Sequence, residues 1–233
     1  MKTKVDIGII GAMDSEVDTL VSKLENRTSE RVGSVLFHVG ELHGKRVALA
    51  RCGIGKVFAA ICAEAMILTY SPSLLINTGV GGGLKRGISV TDIVIGEKLV
   101  QHDMDTSALG DPKGLVSGIN KIYFESDARA ISVLSECALE LGLVCHVGVI
   151  ASGDRFVAAT EDKARIVADF DASVCEMEGA AIAQVAFVND TPFCVIRSVS
   201  DSADEGSSMD YLQFLPIAAD ASAKLTEKLC QKL

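Results

Sequence analysis

The chain contains 233 residues, of which 48% are hydrophobic, and it carries a formal net charge of −9. This length and composition suit one large core, so we expect a single domain over residues 1–233. A pI of about 4.9 and the lack of lysine- or arginine-rich runs argue against nucleic acids and anionic membranes as partners. The N-terminal apolar run is too short to span a bilayer, and an acidic residue precedes it, which argues against a signal peptide.

The cysteine and histidine patterns bear on location and on metals. The seven cysteines are scattered, mostly within apolar runs, and none forms a Cys-x-x-Cys pair. This is typical of reduced thiols that pack as small core residues, so we expect a cytoplasmic protein. The four histidines have no metal-ligand spacing. We therefore predict neither a metal nor a cofactor.

Strand-like apolar runs alternate with amphipathic helical runs along the chain. We predict strands at 5–10, 35–39, 46–51, 74–78, 92–99, 144–151, 173–176 and 193–199. We predict helices at 14–24, 57–69, 127–141, 161–168, 179–188 and 211–232. Residues 40–45 are typical of a hairpin connection. The alternation predicts an α/β fold, a single-domain three-layer sandwich in which helices flank a mixed, twisted central sheet.

Acidic residues follow the first strand. Residues 6–17 are typical of a buried strand, a glycine turn and the start of a helix. We predict Asp14 as the N-cap of that helix, which places Glu16 in its first turn. The positive end of the helix dipole favours an ionised Glu16, as a general base requires.

Two later strands end in similar groups. Glu176 and Glu178 stand two residues apart at a strand end, so an extended backbone would direct both into one crevice. Taken alone, this pair is more typical of a strand that runs into a solvated helix start, where Glu is favoured. The strand over 193–199 delivers Arg197 and then Asp201. Because ligands of open α/β sheets bind beyond the carboxyl ends of strands, we expect Glu16, Glu178 and Asp201 to share one crevice.

Glycine-rich segments also follow strands. The three glycines at 81–83 would let backbone approach a ligand closely, and their place after a strand end favours this function over a flexible turn. Phe156 follows another strand and glycine turn, and its local sequence favours a core residue over a face for a planar base. The segment 53–56 lacks the first glycine and the Ser/Thr of a P-loop, so a plain turn is favoured. A full dinucleotide fingerprint is absent after the first strand, which makes NAD binding a weak hypothesis.

Taken together, these segments resemble one family, the 5'-methylthioadenosine/S-adenosylhomocysteine nucleosidases of the nucleoside phosphorylase superfamily. The similarity runs in order from about Val5 to Phe214. The segments that carry it are Gly8-Ile9-Ile10-Gly11-Ala12-Met13-x-x-Glu16, Gly53-Ile54-Gly55-Lys56, Asn77-Thr78-Gly79-x-x-Gly82-Gly83, Ser152-Gly153-Asp154, Glu176-Met177-Glu178 and Ser200-Asp201.

The resemblance implies hydrolysis of the N-glycosidic bond of an adenine nucleoside, with release of adenine and a 5'-thioribose product. Such a site must protonate adenine, stabilise a positively charged ribose and position water. By similarity, Asp201 protonates N7 of adenine with support from Ser200. Glu16 and Arg197 would hold and activate the water. One carboxylate must therefore be ionised while the other carries a proton.

The resemblance also implies a set of substrate contacts. Glu178 would bind the ribose hydroxyls and Met177 would pack on the ribose. Phe156 would stack on adenine, while the backbone of Val157 would read its edge. The other expected substrate-binding residues on the same chain are Met13, Ile54, Val80, Gly82, Glu176 and Phe214. Val80 stands where many relatives have serine, which removes a hydroxyl that could position water or substrate.

The irregular segment 101–123 is long enough to be functional. In the family, a neighbouring subunit closes the pocket for the 5'-group, and Thr106 and Leu109 match the residues involved. The resemblance therefore implies a homodimer, with a small adenine nucleoside as its other partner.

Three other functions compete with nucleoside hydrolysis. A phosphorylase needs a cation for phosphate, usually arginine, whereas residues 11–16 contain two acids and no base, which favours water. An aminofutalosine nucleosidase would use the same residues and stays open. A non-catalytic nucleoside-binding protein would not need Glu16, Arg197 and Asp201 together.

Overall fold

The computed structural model describes residues 4–204 and 207–233, apart from the side chain of Met209. The strands are β1 Ile7–Gly11, β2 Glu25–Val32, β3 Val35–Leu42, β4 Lys45–Arg51, β5 Leu74–Gly83, β6 Ile93–Gln101, β7 Phe124–Glu125, β8 Cys145–Ser152, β9 Ala172–Glu176 and β10 Phe193–Asp201. The α-helices are α1 Asp14–Ser22, α2 Lys56–Tyr70, α3 Ala128–Glu140, α4 Thr160–Phe170, α5 Gly179–Val188 and α6 Ser207–Lys232. A short 3₁₀ helix spans Ser107–Leu109.

The described strands form one mixed sheet in the order β10-β6-β8-β9-β5-β1-β4-β3-β2, with β7 beside β6. β1 is parallel to both of its neighbours, β4 and β5, whereas β6 and β10 are antiparallel. This confirms the predicted mixed sheet. β10 also pairs with β5, so strands β5, β9, β8, β6 and β10 close into a ring. The sequence did not predict that closure.

Helices cover both faces of the sheet because successive strand residues point to opposite faces. In β1, Ile10 packs into the core beneath α2 and α5, which contains Met66. The adjacent Ile9 packs into the core beneath α1, α3 and α6, which contains Leu20 and Leu229. These two cores confirm the three-layer arrangement.

Further differences from prediction lie in the glycine segment, in β7, at a sheet edge and in one hairpin. β5 runs to Gly83, so the glycines at 81–83, which were predicted to follow a strand, lie inside one. The two-residue strand β7 was not predicted. β2 was missed because its sequence, ENRTSERV, lacks apolar alternation, and its residues are exposed apart from the half-buried Val32. It forms by antiparallel pairing with β3. The hairpin connection was predicted as residues 40–45, but the observed turn between β3 and β4 consists of His43 and Gly44. Their φ angles are 51° and 77°. Positive φ at both positions fits the right-handed twist of the flanking strands.

No helix in the described part of the chain is long and apolar enough to cross a membrane. All seven cysteines lie in that part and are free, and six of them are buried. Their side chains therefore act as small core residues.

Candidate active site

A cavity of about 300 Å³ lies where β1, β5, β9 and β10 end. Its position at the carboxyl ends of the strands matches the predicted crevice. The structure brings most of the predicted site residues together on its wall, namely Met13, Glu16, Ile54, Val80, Gly82, Phe156, Val157, Glu176, Met177, Glu178, Ser200 and Asp201.

Glu16 lies in the first turn of α1 and is held by backbone amides. Its Oε2 accepts hydrogen bonds from the amides of Ala12 at 2.7 Å and Met13 at 3.0 Å. Met13 is the N-cap residue, so the prediction of Asp14 at that position was wrong. The Glu16 carboxylate accepts the hydrogen bonds of the amides at the start of α1. The exposed Asp14 forms an ion pair of 2.8 Å with Arg51 instead. Burial raises the pKa of Glu16, although Arg197 and the amides oppose this shift.

Arg197 is buried behind the cavity rather than on its wall. Its Nη2 donates to the carboxylate of Glu176 and, at 2.5 Å, to Oδ1 of Asn77. Its Nη1 donates to the carbonyl oxygen of Ile196 at 2.9 Å. This placement disfavours the predicted contact between Arg197 and the attacking water, because protein groups enclose the guanidinium.

Glu176 is the ionised partner of that arginine. It also accepts hydrogen bonds from Oγ of Ser152 and from the amides of Glu178 at 3.0 Å and Gly179 at 2.7 Å. Burial opposes ionisation, but the Arg197 charge and these donors outweigh it and lower the pKa of Glu176. Glu176 therefore neutralises Arg197 and fixes the start of α5.

Glu178 is a buried carboxylate close to Arg197. Its Oε1 accepts a hydrogen bond of 2.8 Å from the amide of Gly55, and its Oε2 lies 3.9 Å from Nη2 of Arg197. Burial, followed by the charge of Glu176, raises the pKa of Glu178 to about 7. Arg197 interacts with three buried carboxylates, and its interaction with Glu176 is the strongest. Its positive charge therefore stabilises an ionised Glu178 less than an ionised Glu176.

Asp201 ends β10 and is suited to carry a proton. Its Oδ2 accepts a hydrogen bond of 2.8 Å from Oγ of Ser200, and its Oδ1 accepts one of 2.9 Å from the amide of Ala203. Burial raises the pKa of Asp201 despite these donors. A Cβ atom on Gly82 would lie 2.9 Å from Oδ1, so this position needs glycine for the carboxylate to approach.

Phe156 and Tyr211 form an aromatic edge of the cavity. Phe156 is 44% exposed, so the core position that its local sequence favoured is wrong. The two ring centroids lie 5.5 Å apart in an edge-to-face arrangement, and the Tyr211 hydroxyl donates to Sδ of Met13 at 3.3 Å. One ring face of Phe156 is thus available to a planar ligand.

The comparisons with known proteins agree with this geometry. Residues 6–231 match the family model of the phosphorylase superfamily. The chain belongs to that superfamily. It is 40% identical over 228 residues to the curated 5'-methylthioadenosine/S-adenosylhomocysteine nucleosidase of Haemophilus influenzae (strain 86-028NP), covering 97% of this chain and 99% of that relative.

Two solved superfamily structures extend the comparison. The 5'-methylthioadenosine/S-adenosylhomocysteine nucleosidase from Neisseria meningitidis in complex with methylthio-immucillin-A is 40% identical, with a TM-score of 0.95 and full coverage of both chains. Futalosine hydrolase of Helicobacter pylori is 36% identical, with a TM-score of 0.93 and 97% coverage of both chains. The predicted family and fold are confirmed.

Some predicted superfamily site residues do not line the cavity. Phe214 is half-buried off its wall, and Tyr211, one helical turn earlier on α6, takes the wall position. Tyr211 was not predicted, although it lies three residues before Phe214 and residues three apart share a helix face. Thr106 donates to Asp111 at 2.8 Å, and Leu109 is 83% exposed. Their predicted role involves a neighbouring subunit, so it stays a prediction.

Other wall residues were also absent from the predicted site, among them Cys175 and Arg155. Cys175 lies beside Glu176 at the end of β9, and Arg155 precedes Phe156. Two-residue alternation with Glu176 directs the neighbouring side chain to the opposite face, so it gave no signal for Cys175. Burial raises the pKa of the Cys175 thiol well above its usual range, so it is unsuited to act as a nucleophile.

Proposed function

We propose that this protein hydrolyses the N-glycosidic bond of 5'-methylthioadenosine and S-adenosylhomocysteine, with water as the nucleophile. The observation that carries the proposal is the pairing of Asp201 and Glu16 on one cavity wall, with an aromatic face beside them. Two carboxyl groups in different environments can serve as the acid and the base of one reaction. The names of the relatives at 40% identity support the same activity.

In this proposal Asp201 protonates N7 of adenine as the glycosidic bond breaks. Burial raises its pKa, which increases its affinity for the proton that it must carry. The Ser200 hydroxyl and the Ala203 amide then stabilise the carboxylate that the proton leaves behind. Adenine would stack on Phe156, and the backbone of Val157 would read its edge.

Glu16 is the proposed general base for the attacking water. Three backbone amides, including that of Val80 at 3.1 Å, fix its carboxylate at the cavity wall. Burial increases its affinity for the proton that the water must lose. Arg197 would act through the carboxylates that it neutralises, rather than by touching water.

Glu178 and Met177 are proposed to bind the ribose. An ionised Glu178 would accept hydrogen bonds from the ribose hydroxyls, while Met177 packs against the ring. The positive charge that develops on the ribose would form near the carboxylates of Glu16 and Glu178, which stabilise it in a water-poor site.

Phosphorolysis is disfavoured by the charges around the cavity. Glu16 and Asp14 occupy the first glycine turn. Of the described cavity residues, Arg155 alone is basic, and its guanidinium pairs with Asp162 at 2.6 Å. The test is adenine release from 5'-methylthioadenosine with and without inorganic phosphate. We expect equal rates, whereas accumulation of a ribose-1-phosphate product would overturn hydrolysis.

Aminofutalosine hydrolysis is the second candidate. The supporting observation is the similarity to a solved futalosine hydrolase at 36% identity with a TM-score of 0.93. The cavity residues proposed for adenine and ribose would serve both substrates. Comparison of kcat/KM for 5'-methylthioadenosine and aminofutalosine on the purified protein decides between them.

We also propose a homodimer whose interface lies next to the cavity. Exposed apolar side chains follow the turn before α2 and its first two turns, with Ile54 at 55%, Val57 at 69%, Phe58 at 55% and Ile61 at 46% exposure. A patch of this kind on a protein surface marks an interaction site. Ile54 belongs to both the patch and the cavity wall. A fully active monomer in light scattering at micromolar concentration would contradict the proposal.

The cytoplasm is the proposed location. The support is the presence of seven free thiols, because oxidising compartments favour disulfides. A small adenine nucleoside is the proposed ligand, with no nucleic acid as partner, and the thioribose product would feed methionine salvage.

A further inference from the structure

Lys56, the first residue of α2, joins three segments around the cavity without lying on its wall. Its side chain is 17% exposed, and Nζ lies 2.5 Å from Oδ1 of Asp103. Nζ also donates to Oε1 of Gln101 at 3.1 Å, and the Lys56 amide donates to Oδ1 of Asp154 at 2.7 Å. The turn before α2 is thereby attached to the segments that follow β6 and β8.

The segments after β6 and β8 are also bonded to each other. Oδ2 of Asp103 accepts a hydrogen bond of 3.0 Å from the amide of Asp154, and the amide of His102 donates to the Ser152 carbonyl at 2.9 Å. A Cβ atom on Gly153 would lie 2.4 Å from Nε2 of His102, so glycine is required for this close packing. Asp103 is thus shared between the Lys56 ammonium and the backbone after β8.

The joined segments carry opposite sides of the proposed nucleoside site. The turn supplies Ile54 to the cavity wall and the Gly55 amide to Glu178, which is the proposed ribose ligand. The segment after β8 supplies Phe156 and Val157, which are proposed to hold adenine. The distance between these sides decides whether base and ribose can be bound at the same time.

We propose that Lys56 is a positioning residue for the nucleoside, and that the Lys56–Asp103 pair sets the spacing between the ribose side and the adenine side. This inference rests on the proposed function. Lys56 touches no reacting atom, so its removal should weaken substrate binding more than it slows the chemical step. A lysine that merely supported the fold would change the melting temperature and leave KM unaltered.

The test compares Lys56→Met and Lys56→Arg with wild type in steady-state hydrolysis of 5'-methylthioadenosine. Lys56→Met should raise KM about tenfold or more, because a charged hydrogen bond is lost, while kcat changes by less than about threefold. Lys56→Arg should return KM to within about threefold of wild type. The control is Lys23→Met, since Lys23 makes a 2.6 Å ion pair with Glu227 away from the cavity and should leave KM unchanged.

Asp103→Asn tests whether the pair acts as a unit. If it does, the double variant with Lys56→Met should have a KM close to that of Lys56→Met alone, because coupled residues are not additive. Independent, multiplying effects of the two substitutions would overturn the proposed pair.

Backbone hydrogen exchange gives a readout that does not depend on activity. In ligand-free protein, Lys56→Met should speed exchange over 152–157, and Lys23→Met should not. Unchanged KM or unchanged exchange in a folded Lys56→Met protein would overturn the inference. If wild type releases no adenine, the proposed function fails, and the exchange result alone still decides whether Lys56 fixes this segment.

Discussion

Oε1 of Glu16 accepts a hydrogen bond of 3.1 Å from the backbone amide of Val80. Glu16 and Val80 are 64 residues apart in sequence, so this contact joins the first turn of α1 to β5. The residue before Val80 is Gly79, where a Cβ atom would lie 2.6 Å from the same oxygen. The position of the proposed base therefore depends on a glycine in a neighbouring strand.

Gly79→Ala should displace the Glu16 carboxylate and lower kcat/KM about a hundredfold, which is typical of a catalytic group misplaced by about 1 Å. The control is Gly118→Ala, because a Cβ atom there meets nothing within 4 Å and the backbone has no positive φ. Both variants are assayed for adenine release. Wild-type activity in Gly79→Ala would show that Glu16 does not need this placement.

Asp201→Asn should lower kcat by about a hundredfold or more, because the amide keeps the shape but cannot supply the proton. Binding of a non-hydrolysable adenosine analogue, measured by calorimetry, should be largely retained. Asp14→Asn serves as the control, since Asp14 is exposed and pairs with Arg51. A nearly unimpaired Asp201→Asn enzyme would remove Asp201 from the role of acid.

The pH profile of the wild-type enzyme should report Glu178. Burial and the neighbouring Glu176 raise its pKa to about 7, and the proposed ribose contact uses the ionised form. The kcat/KM value should therefore fall as pH drops through about 7. Glu178→Gln should have low activity without this acid limb. A wild-type profile that is flat between about pH 6 and pH 8 contradicts the assignment.

Glu178 should also make folding stability depend on pH. Its folded pKa of about 7 exceeds the reference value of 4.5, so its contribution to stability is complete below 4.5 and is lost as pH rises through 7. Between those limits the wild type should lose roughly 3 kcal/mol of unfolding free energy relative to Glu178→Gln. Urea denaturation of both proteins at pH values below 4.5 and above 7 measures the difference, and an equal pH dependence of the two unfolding free energies would disprove it.

Leu109→Ala should lower kcat/KM for 5'-methylthioadenosine more than for adenosine. Loss of one apolar contact with the methylthio group corresponds to roughly 1–3 kcal/mol, whereas a 5'-hydroxyl gains little from an apolar wall. The matched control is Leu139→Ala, because Leu139 is 80% exposed and Leu109 is 83% exposed. Equal losses for the two nucleosides would contradict the placement of Leu109 over the 5'-position of a neighbouring subunit.

Local patterns predicted much of this protein. Apolar runs and their flanking turns predicted all the strands that line the cavity, because short apolar runs bounded by turn residues are typical of buried strands. The appearance of Glu16, Glu178 and Asp201 directly after such runs predicted their shared cavity. The parallel strands β1, β5 and β10 end at one edge of the sheet, which explains Glu16 and Asp201. β9 is antiparallel to β5, and Glu178 reaches the same cavity because the end of β9 pairs with the end of β5. β2 escaped prediction because its residues are polar, and its pairing with β3 is what makes it a strand.

Tertiary structure decided the remaining features, because they depend on contacts between residues distant in sequence. The closure of the sheet brings β10 against β5, and thereby places Arg197 beside Glu176 rather than on the cavity wall. Burial gives Glu16 and Asp201 raised pKa values, which no local pattern encodes, because desolvation depends on the packing of the whole fold. The sequence by itself determined which chemical groups are available, and the packing decided the direction in which their pKa values shift and which of them line the cavity.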